Sequence, residues 1–231
     1  MANESRMTIL EHLSELRARL IICVVTLVLT TFISFAFTDR ILRLLIAPAG
    51  IKPIFLRPTE MFVTYFRVAL LAGMVLAMPV IVYQVLRFTL PALKPNERRY
   101  VFLAIPTASV FFVIGILFAQ FILLPFALRY LLTFGGDIAE ARWAIGEYVS
   151  FVTTLLFWSG VIFETPLLLF FLTKLGVVST AFLSENRKYA LLASAVLAAI
   201  ITPTPDPFNM LLVMVPLCLM YEAGVLLSRF A

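Results

Sequence analysis

The amino-acid sequence predicts an all-α integral membrane protein with six transmembrane helices. Of its 231 residues, 62% are hydrophobic and only 13% are charged, whereas a soluble domain is about 25% charged. The mean hydropathy is +1.05, and the charged residues separate apolar runs close to the roughly 20 residues that a spanning helix needs. This composition excludes a soluble enzyme, a disordered chain and a disulfide scaffold. We expect one polytopic domain over residues 1–231.

The first element is an amphipathic helix predicted over about residues 8–19. Thr8 and Glu11 have the spacing of a capping box, which predicts a helix start. Glu15 and Arg19 lie one turn apart on the polar face, where such a pair stabilises a helix by a few tenths of a kcal/mol. The apolar stripe opposite them consists of Ile9, Leu13, Leu16 and Leu20.

The six spans follow from the positions of charges and prolines. Their predicted bounds are 20–38, 67–88, 98–126, 148–173, 187–202 and 207–228. The fifth and sixth are short, and the fifth reaches about 26 Å, less than the roughly 30 Å hydrocarbon core. Three prolines within residues 202–207 exclude a continuous helix there. Short helices thin the bilayer or recruit partners; the alternative is untilted helices with snorkelling ends.

The distribution of basic residues predicts the orientation. Eleven Lys and Arg residues lie in the segments on the side of both termini, and six lie on the other side. Because cytoplasmic loops carry the excess of Lys and Arg, both termini are predicted to be cytoplasmic. The net charge of +5 therefore reflects orientation and headgroup contact and does not indicate nucleic acid as a partner.

Glu164 is the strongest anomaly inside a predicted span. An acid between apolar runs is costly and usually faces a cavity or a partner. Pro166 interrupts the helical hydrogen bonds nearby and frees a carbonyl group. We expect Glu164 to face a water-accessible cavity; pairing inside the bundle is the alternative.

Two stripes of small residues allow helices to approach closely. Packing within the bundle is expected for the stripe of Ala69, Gly73 and Ala77. For the stripe of Ala190, Ser194 and Ala198, continued by Thr202, packing within the bundle and docking of another protein's helix both remain open.

Catalytic chemistry has no candidate residues. His12 is the only histidine and has no neighbouring metal ligands, so no metal site is expected. The sequence has no nucleophile–base pair and no phosphate-binding glycine loop. We predict neither an enzyme nor a cofactor.

Several short motifs occur in order along the whole chain. They are His12-Leu-Ser-Glu-Leu-Arg-Ala-Arg-Leu20, Pro79-Val-Ile-Val-Tyr-Gln84, Phe88-Thr-Leu-Pro-Ala-Leu93, Glu97-Arg-Arg99, Phe163-Glu-Thr-Pro166, Thr202-Pro203 with Asp206, and Tyr221-Glu222. Together they resemble the TatC family, the multi-spanning subunit of the twin-arginine protein translocase.

The resemblance implies a receptor in the cytoplasmic membrane for signal peptides with paired arginines. Family members export folded proteins using the proton-motive force, in hetero-oligomers of several copies with the single-span subunits TatA and TatB. By motif position, Glu15 and Glu97 correspond to the carboxylates that recognise the arginine pair. Carboxylates suit this role because guanidinium binds them in a bidentate fork.

The resemblance also assigns the remaining motif residues. Arg17, Arg98 and Arg99 match basic positions near the receptor carboxylates. Glu164 matches the intramembrane glutamate. Pro48, Asp206 and Glu222 are further motif positions. The alternative function is a proton-coupled secondary transporter with Glu164 as the relay, although the chain lacks the inverted repeat typical of that class.

Overall fold

The computed structural model describes residues 9–50, 52–89, 98–134, 143–202 and 206–230. Within these ranges the regular elements are helices, and one isolated parallel bridge joins Ile54 to Ala144. The helices are α1 (Ile9–Phe35), α2 (Thr38–Ile46), α3 (Glu60–Thr89), α4 (Arg98–Phe118), α5 (Leu124–Thr133), α6 (Ile145–Phe163), α7 (Thr165–Lys174), α8 (Thr180–Glu185), α9 (Arg187–Ile201) and α10 (Pro207–Ser228).

Five helical segments of the described chain are long and apolar enough to span a membrane. They are Leu13–Phe35, Glu60–Phe88, Leu103–Thr133, Ile145–Lys174 and Pro207–Ser228. The predicted fifth span corresponds to α9, which has 15 residues and is about 23 Å long at 1.5 Å per residue. The all-helical membrane fold is therefore confirmed. The expectation of a short sixth helix is wrong, because α10 has 22 residues and is long enough to span a membrane.

The start of the chain differs from the prediction. The amphipathic segment and the first span form one helix, α1, which ends at Phe35 instead of residue 38. Since residues 9–35 contain neither glycine nor proline, nothing in the backbone separates the two parts. Thr38 instead begins α2, a helix that the sequence analysis did not predict, in which Leu42 and Leu45 are buried.

The middle spans are longer than predicted because a single charge does not end these helices. Helix α3 begins at Glu60, so Arg67 lies inside it. Helix α4 continues through a π-helical turn, Ala119–Leu123, into α5. Pro125 has no N–H to donate to the preceding turn, which accounts for the wider turn before it.

Glycines set the closest helix contacts. A Cβ atom on Gly73 would lie 2.7 Å from the Cα of Thr31, and the hydroxyl of Thr30 donates to the Gly73 carbonyl at 2.8 Å. Ala69 and Ala77 on the same stripe are fully buried. The expected packing of this stripe within the bundle, between α1 and α3, is confirmed.

The bundle has two ends, which we call the α2 end and the α8 end. At the α2 end, the ring of Tyr130 in α5 stacks on Phe208 at the start of α10, with centroids 4.0 Å apart. At the α8 end, the hydroxyl of Thr180 donates to the carbonyl of Ser228, the last residue of α10, at 3.1 Å.

Candidate functional site

Glu15 lies in the first part of α1, at the α8 end. Helix α1 runs antiparallel to α3, since Thr30 contacts Gly73 and the rings of Phe35 and Tyr65 lie 6.4 Å apart. Counting back along α1 puts Glu15 at the level of the last turns of α3. Helix α4 starts at Arg98, after the short segment that follows α3. The topology therefore brings the start of α1 and the start of α4 to the same end of the bundle.

The carboxylate of Glu15 already binds a guanidinium group. Arg19, one turn further along α1, donates from Nη2 to Oε1 of Glu15, and both side chains are largely buried, with 22% of Glu15 and 14% of Arg19 exposed. The predicted pair on the polar face of this helix is confirmed. A carboxylate in this setting favours a charge-assisted hydrogen bond to arginine over contact with water.

The other predicted receptor residues are Arg17, Arg98, Arg99 and Glu97. Arg17 is exposed on α1. Arg98 and Arg99 form the first turn of α4. Glu97 lies outside the described residues.

Glu164 joins α6 to α7 in the second half of the span Ile145–Lys174. The helix is interrupted just before Pro166, as predicted. The side chain is half-buried, and its Oε1 has no hydrogen-bond partner among the described residues. Such an unpaired buried oxygen is costly unless water or a ligand reaches it.

Asp206 is the N-cap of α10. Its Oδ1 accepts from the backbone N–H of Asn209 at 2.7 Å, and its Oδ2 accepts from the Asn209 side chain at 2.9 Å. The cap satisfies one of the free N–H groups of the first turn of α10.

We expect Asp206→Ala to destabilise the protein by about 1 kcal/mol, because alanine cannot cap the helix. Asp206→Asn should restore most of that loss, since asparagine caps well. Thermal unfolding in detergent measures both variants. If asparagine were as damaging as alanine, the carboxylate would have a role other than capping.

Tyr221 and Glu222 hold the two short helices against α10. The Tyr221 hydroxyl donates to the carbonyl of Leu183 in α8 at 2.8 Å. Arg187, the first residue of α9, forms a two-point ion pair with Glu222 through contacts of 2.9 Å. The motif Tyr221-Glu222 therefore fixes the position of α8 and α9, a role that the sequence did not reveal.

The small-residue stripe of α9 faces the bundle. Ser194 and Ala198 are 6% and 0% exposed, and Ala190 and Thr202 are half-buried. Of the two alternatives, the structure favours packing within the chain, because the small side chains let α9 lie close to α10. The free face of α9 is instead formed by large apolar residues, Leu191, Leu192, Val196, Leu197 and Ile200.

Polar side chains organise the α2 end, and sequence reasoning missed them. Gln120 and Tyr148 donate to the carbonyls of Leu44 and Leu45 at 3.1 and 2.8 Å, which satisfies the last turn of α2. Pro48 lies in the short 3₁₀ turn that follows, Ala47–Ala49. The sequence signal for these contacts is a glutamine and a tyrosine within apolar runs, because polar groups that are buried need hydrogen-bond partners.

Asp39 connects α2 to α3. Arg43 donates to Asp39 at 3.0 Å, and the Tyr65 hydroxyl donates to the same carboxylate at 3.1 Å. The Arg43 guanidinium, helped by the Tyr65 hydroxyl, lowers the pKa of Asp39 below its usual value. The contribution of this contact to stability is present above the ordinary pKa of an aspartate and is lost as pH falls through the lowered pKa.

Comparison with known proteins agrees with this architecture. The family described as Sec-independent protein translocase protein (TatC) matches residues 11–216. A TatC protein of Carboxydothermus hydrogenoformans is 40% identical over 97% of this chain and 93% of its own length. One from Deinococcus radiodurans is 38% identical over 95% of this chain and 84% of its own length.

A solved structure shares the fold. The crystal structure titled as the twin arginine translocase receptor TatC superimposes with a TM-score of 0.85 at 36% identity, covering 95% of this chain and 99% of the other. The family match, the relatives and the solved structure agree over nearly the whole length of this chain. The chain belongs to the TatC family of Sec-independent protein translocase proteins.

Proposed function

We propose that this translocase component is the receptor for twin-arginine signal peptides, with Glu15 and Glu97 as the carboxylates that bind the arginine pair. The observation that carries the proposal is the Glu15–Arg19 contact, in which a carboxylate at the α8 end already binds a guanidinium group. An incoming arginine would take the place of Arg19 on Glu15, so the carboxylate keeps a guanidinium partner in the bound state. Arg17, Arg98 and Arg99 orient the carboxylates.

The receptor works within a larger assembly in this proposal. Single-span subunits of the TatA and TatB type join it in a hetero-oligomer of several copies, and the proton-motive force drives export of folded proteins across the cytoplasmic membrane. The large apolar side chains of α9, exposed on a helix that Tyr221 and Glu222 hold against α10, support this surface as the place where a partner helix packs. Membership of a family of translocase components argues against a proton-coupled secondary transporter.

The proposed topology has six crossings, with α9 as the fifth. Helix α8 and the last turn of α10 share one end of the bundle, whereas α10 begins beside Tyr130 at the other end. Residues 187–201 lie between α8 and the start of α10, so α9 has to return the chain across the bundle. This connection supports a single domain over residues 1–231, in which a short helix thins the bilayer locally.

We predict that the α8 end faces the cytoplasm. In a cysteine-free background (Cys23→Ala with Cys218→Ala), Glu185→Cys and Asn96→Cys should react with a membrane-impermeant thiol reagent only when the cytoplasmic side is accessible. Asp137→Cys should react from outside. The excess of Lys and Arg at the α8 end is the physical reason, and the reverse labelling pattern would overturn the orientation.

We further propose that Glu164 faces a water-accessible cavity open towards the α8 end, where it offers one polar contact to an inserting signal peptide or partner helix. Its unpaired Oε1 supports this, because an acid in a span normally faces a cavity or partner.

For Glu164→Gln we expect normal folding and normal peptide binding, but reduced transport of a precursor, because insertion loses its polar contact. Glu164→Leu should fold equally well, since it removes a buried charge. Glu164→Cys should react with a water-soluble thiol reagent, whereas Leu219→Cys, at a position in the middle of α10 that is 58% exposed and that we expect to face lipid, should not. Equal protection of both cysteines would argue against the cavity.

Co-purification tests the receptor proposal itself. A tagged precursor with an intact arginine pair should retain this chain, and a precursor with two lysines should not. Equal retention by both precursors would contradict the proposal.

A further inference from the structure

A cavity of about 860 Å³ lies at the α2 end, between the start of α3 and the start of α6. Two apolar spans begin at its wall, at Glu60 and at Ile145 beside it, so the cavity lies at the level where a bilayer changes from headgroups to hydrocarbon. Its charged wall consists of Arg57, Glu60, Arg67 and Glu147.

The carboxylate oxygens of Glu60 accept hydrogen bonds from backbone N–H groups. Its Oε2 accepts from the N–H groups of Leu56 and Arg57 at 2.7 and 3.2 Å, and its Oε1 accepts from that of Gly146 at 2.7 Å. These three contacts fix the segment before α3 against the first turn of α6. Glu60 therefore shapes the cavity and has little capacity left for a ligand.

The side chains of Arg67 and Glu147 remain available to bind a ligand in the cavity. Both are exposed in the cavity wall, and neither forms an ion pair with any residue that the structure describes. Arg67 makes one long hydrogen bond, 3.4 Å from its Nη1 to the carbonyl of Gly146. The cavity thus holds a cation and an anion apart, each with free hydrogen-bonding capacity, and Arg57 adds a second cation.

We propose that this cavity binds the headgroup of phosphatidylethanolamine. The lipid phosphate would bind the guanidinium groups of Arg67 and Arg57, which suit phosphate geometry. The primary ammonium group, with three donors, would bind the carboxylate of Glu147. A zwitterionic headgroup matches both charges, whereas an anionic lipid such as phosphatidylglycerol has the same phosphate but no cation to pair with Glu147.

The surroundings favour a lipid over a soluble phosphate ester. Phe62 and Phe66, on the neighbouring stripe of α3, are 69% and 51% exposed, and Leu56 at the cavity wall is 70% exposed. These side chains offer apolar surface for acyl chains directly beside the charged wall. Arg67 lies inside the span Glu60–Phe88, where a long cationic side chain reaches up to the headgroup level.

Native mass spectrometry of the full chain in detergent tests the proposal. Titrations with phosphatidylethanolamine, phosphatidylcholine and phosphatidylglycerol should show one ethanolamine lipid bound at least about fivefold more tightly than the other two. Phosphatidylcholine carries the same phosphate but cannot donate hydrogen bonds from its ammonium group. Equal affinity for the three lipids would overturn the proposal, and so would displacement of the lipid by equimolar phosphoethanolamine.

Two variants separate the roles of the charges. Arg67→Gln should weaken binding of all three lipids, that of phosphatidylethanolamine by about tenfold, because the phosphate loses a charged donor. Glu147→Gln should remove the preference for ethanolamine over choline. Arg40→Gln, at an exposed basic residue of α2 outside the cavity wall, is the matched control and should change nothing. Unchanged binding in both cavity variants, or an equal loss in the control, would refute the site.

Discussion

Replacing Glu97 with alanine is expected to abolish binding of a signal peptide with paired arginines, while the protein inserts in the membrane and stays monodisperse. Glu15→Ala should weaken binding at least about 30-fold, because losing one partner of a charged contact costs roughly 2–5 kcal/mol. Glu97→Gln and Glu15→Gln should fail similarly, since the neutral amide gives up the charge and the bidentate acceptor. Titration of a labelled peptide into the purified variants measures the effect.

Glu185→Gln provides the matched control. Glu185 is exposed at the last residue of α8, at the same end of the bundle as Glu15. The Glu185→Gln substitution removes one negative charge from this end, as the substitutions of Glu15 and Glu97 do, so any general electrostatic effect on peptide binding should be similar. Normal peptide binding in Glu97→Ala, or an equal loss in the control, would contradict the assignment of the receptor carboxylates.

A leucine at Gly115 should be among the most destabilising single substitutions in the bundle. A Cβ atom at this position would lie 2.5 Å from the carbonyl oxygen of Ser159 and 2.8 Å from the Cα of Gly160. Both are backbone atoms of α6, so α4 and α6 have to separate. Overpacking of a core typically costs about 1–3 kcal/mol, and a leucine against backbone should reach the upper part of that range.

The thermal stability of purified Gly115→Leu in detergent measures this cost. Gly115→Ala should be destabilised as well, by less, because one carbon already meets the backbone of α6. Ala18→Leu, at an exposed position of α1, adds apolar volume without a facing helix and should leave the stability nearly unchanged. A Gly115→Leu protein as stable as this control would show that α4 and α6 do not approach as closely as described.

The helical membrane fold and the bounds of α10 could be predicted from the sequence, whereas the contacts between helices could not. The run from Pro207 to Ser228 contains one charge and is bounded by proline and arginine, and α10 has the predicted bounds. Arg67, by contrast, lies inside α3, because a long cationic side chain can reach a cavity at the headgroup level from within a span. A charge in the sequence is therefore only an approximate marker of a helix end.

The roles of polar motif residues also depended on tertiary contacts. Asp206 precedes Pro207, a pattern typical of a helix cap, so its capping role could have been read from the sequence. Nothing local indicates that Glu222 pairs with Arg187, because the two residues belong to different helices that meet only in the folded bundle. The sequence could not decide whether the small-residue stripe on α9 packs within the bundle or against another protein, since small residues suit contacts within a chain and between chains alike.

The most direct test of the receptor proposal is the affinity of the wild-type protein for matched signal peptides. Peptides with an arginine pair, with two lysines and with two glutamines would be titrated into the purified chain at one ionic strength. We expect the arginine peptide to bind at least about tenfold more tightly than the lysine peptide, because lysine cannot form the two-point contact with a carboxylate. The glutamine peptide should bind most weakly. Equal affinity for the arginine and lysine peptides would contradict recognition of the arginine pair by these carboxylates.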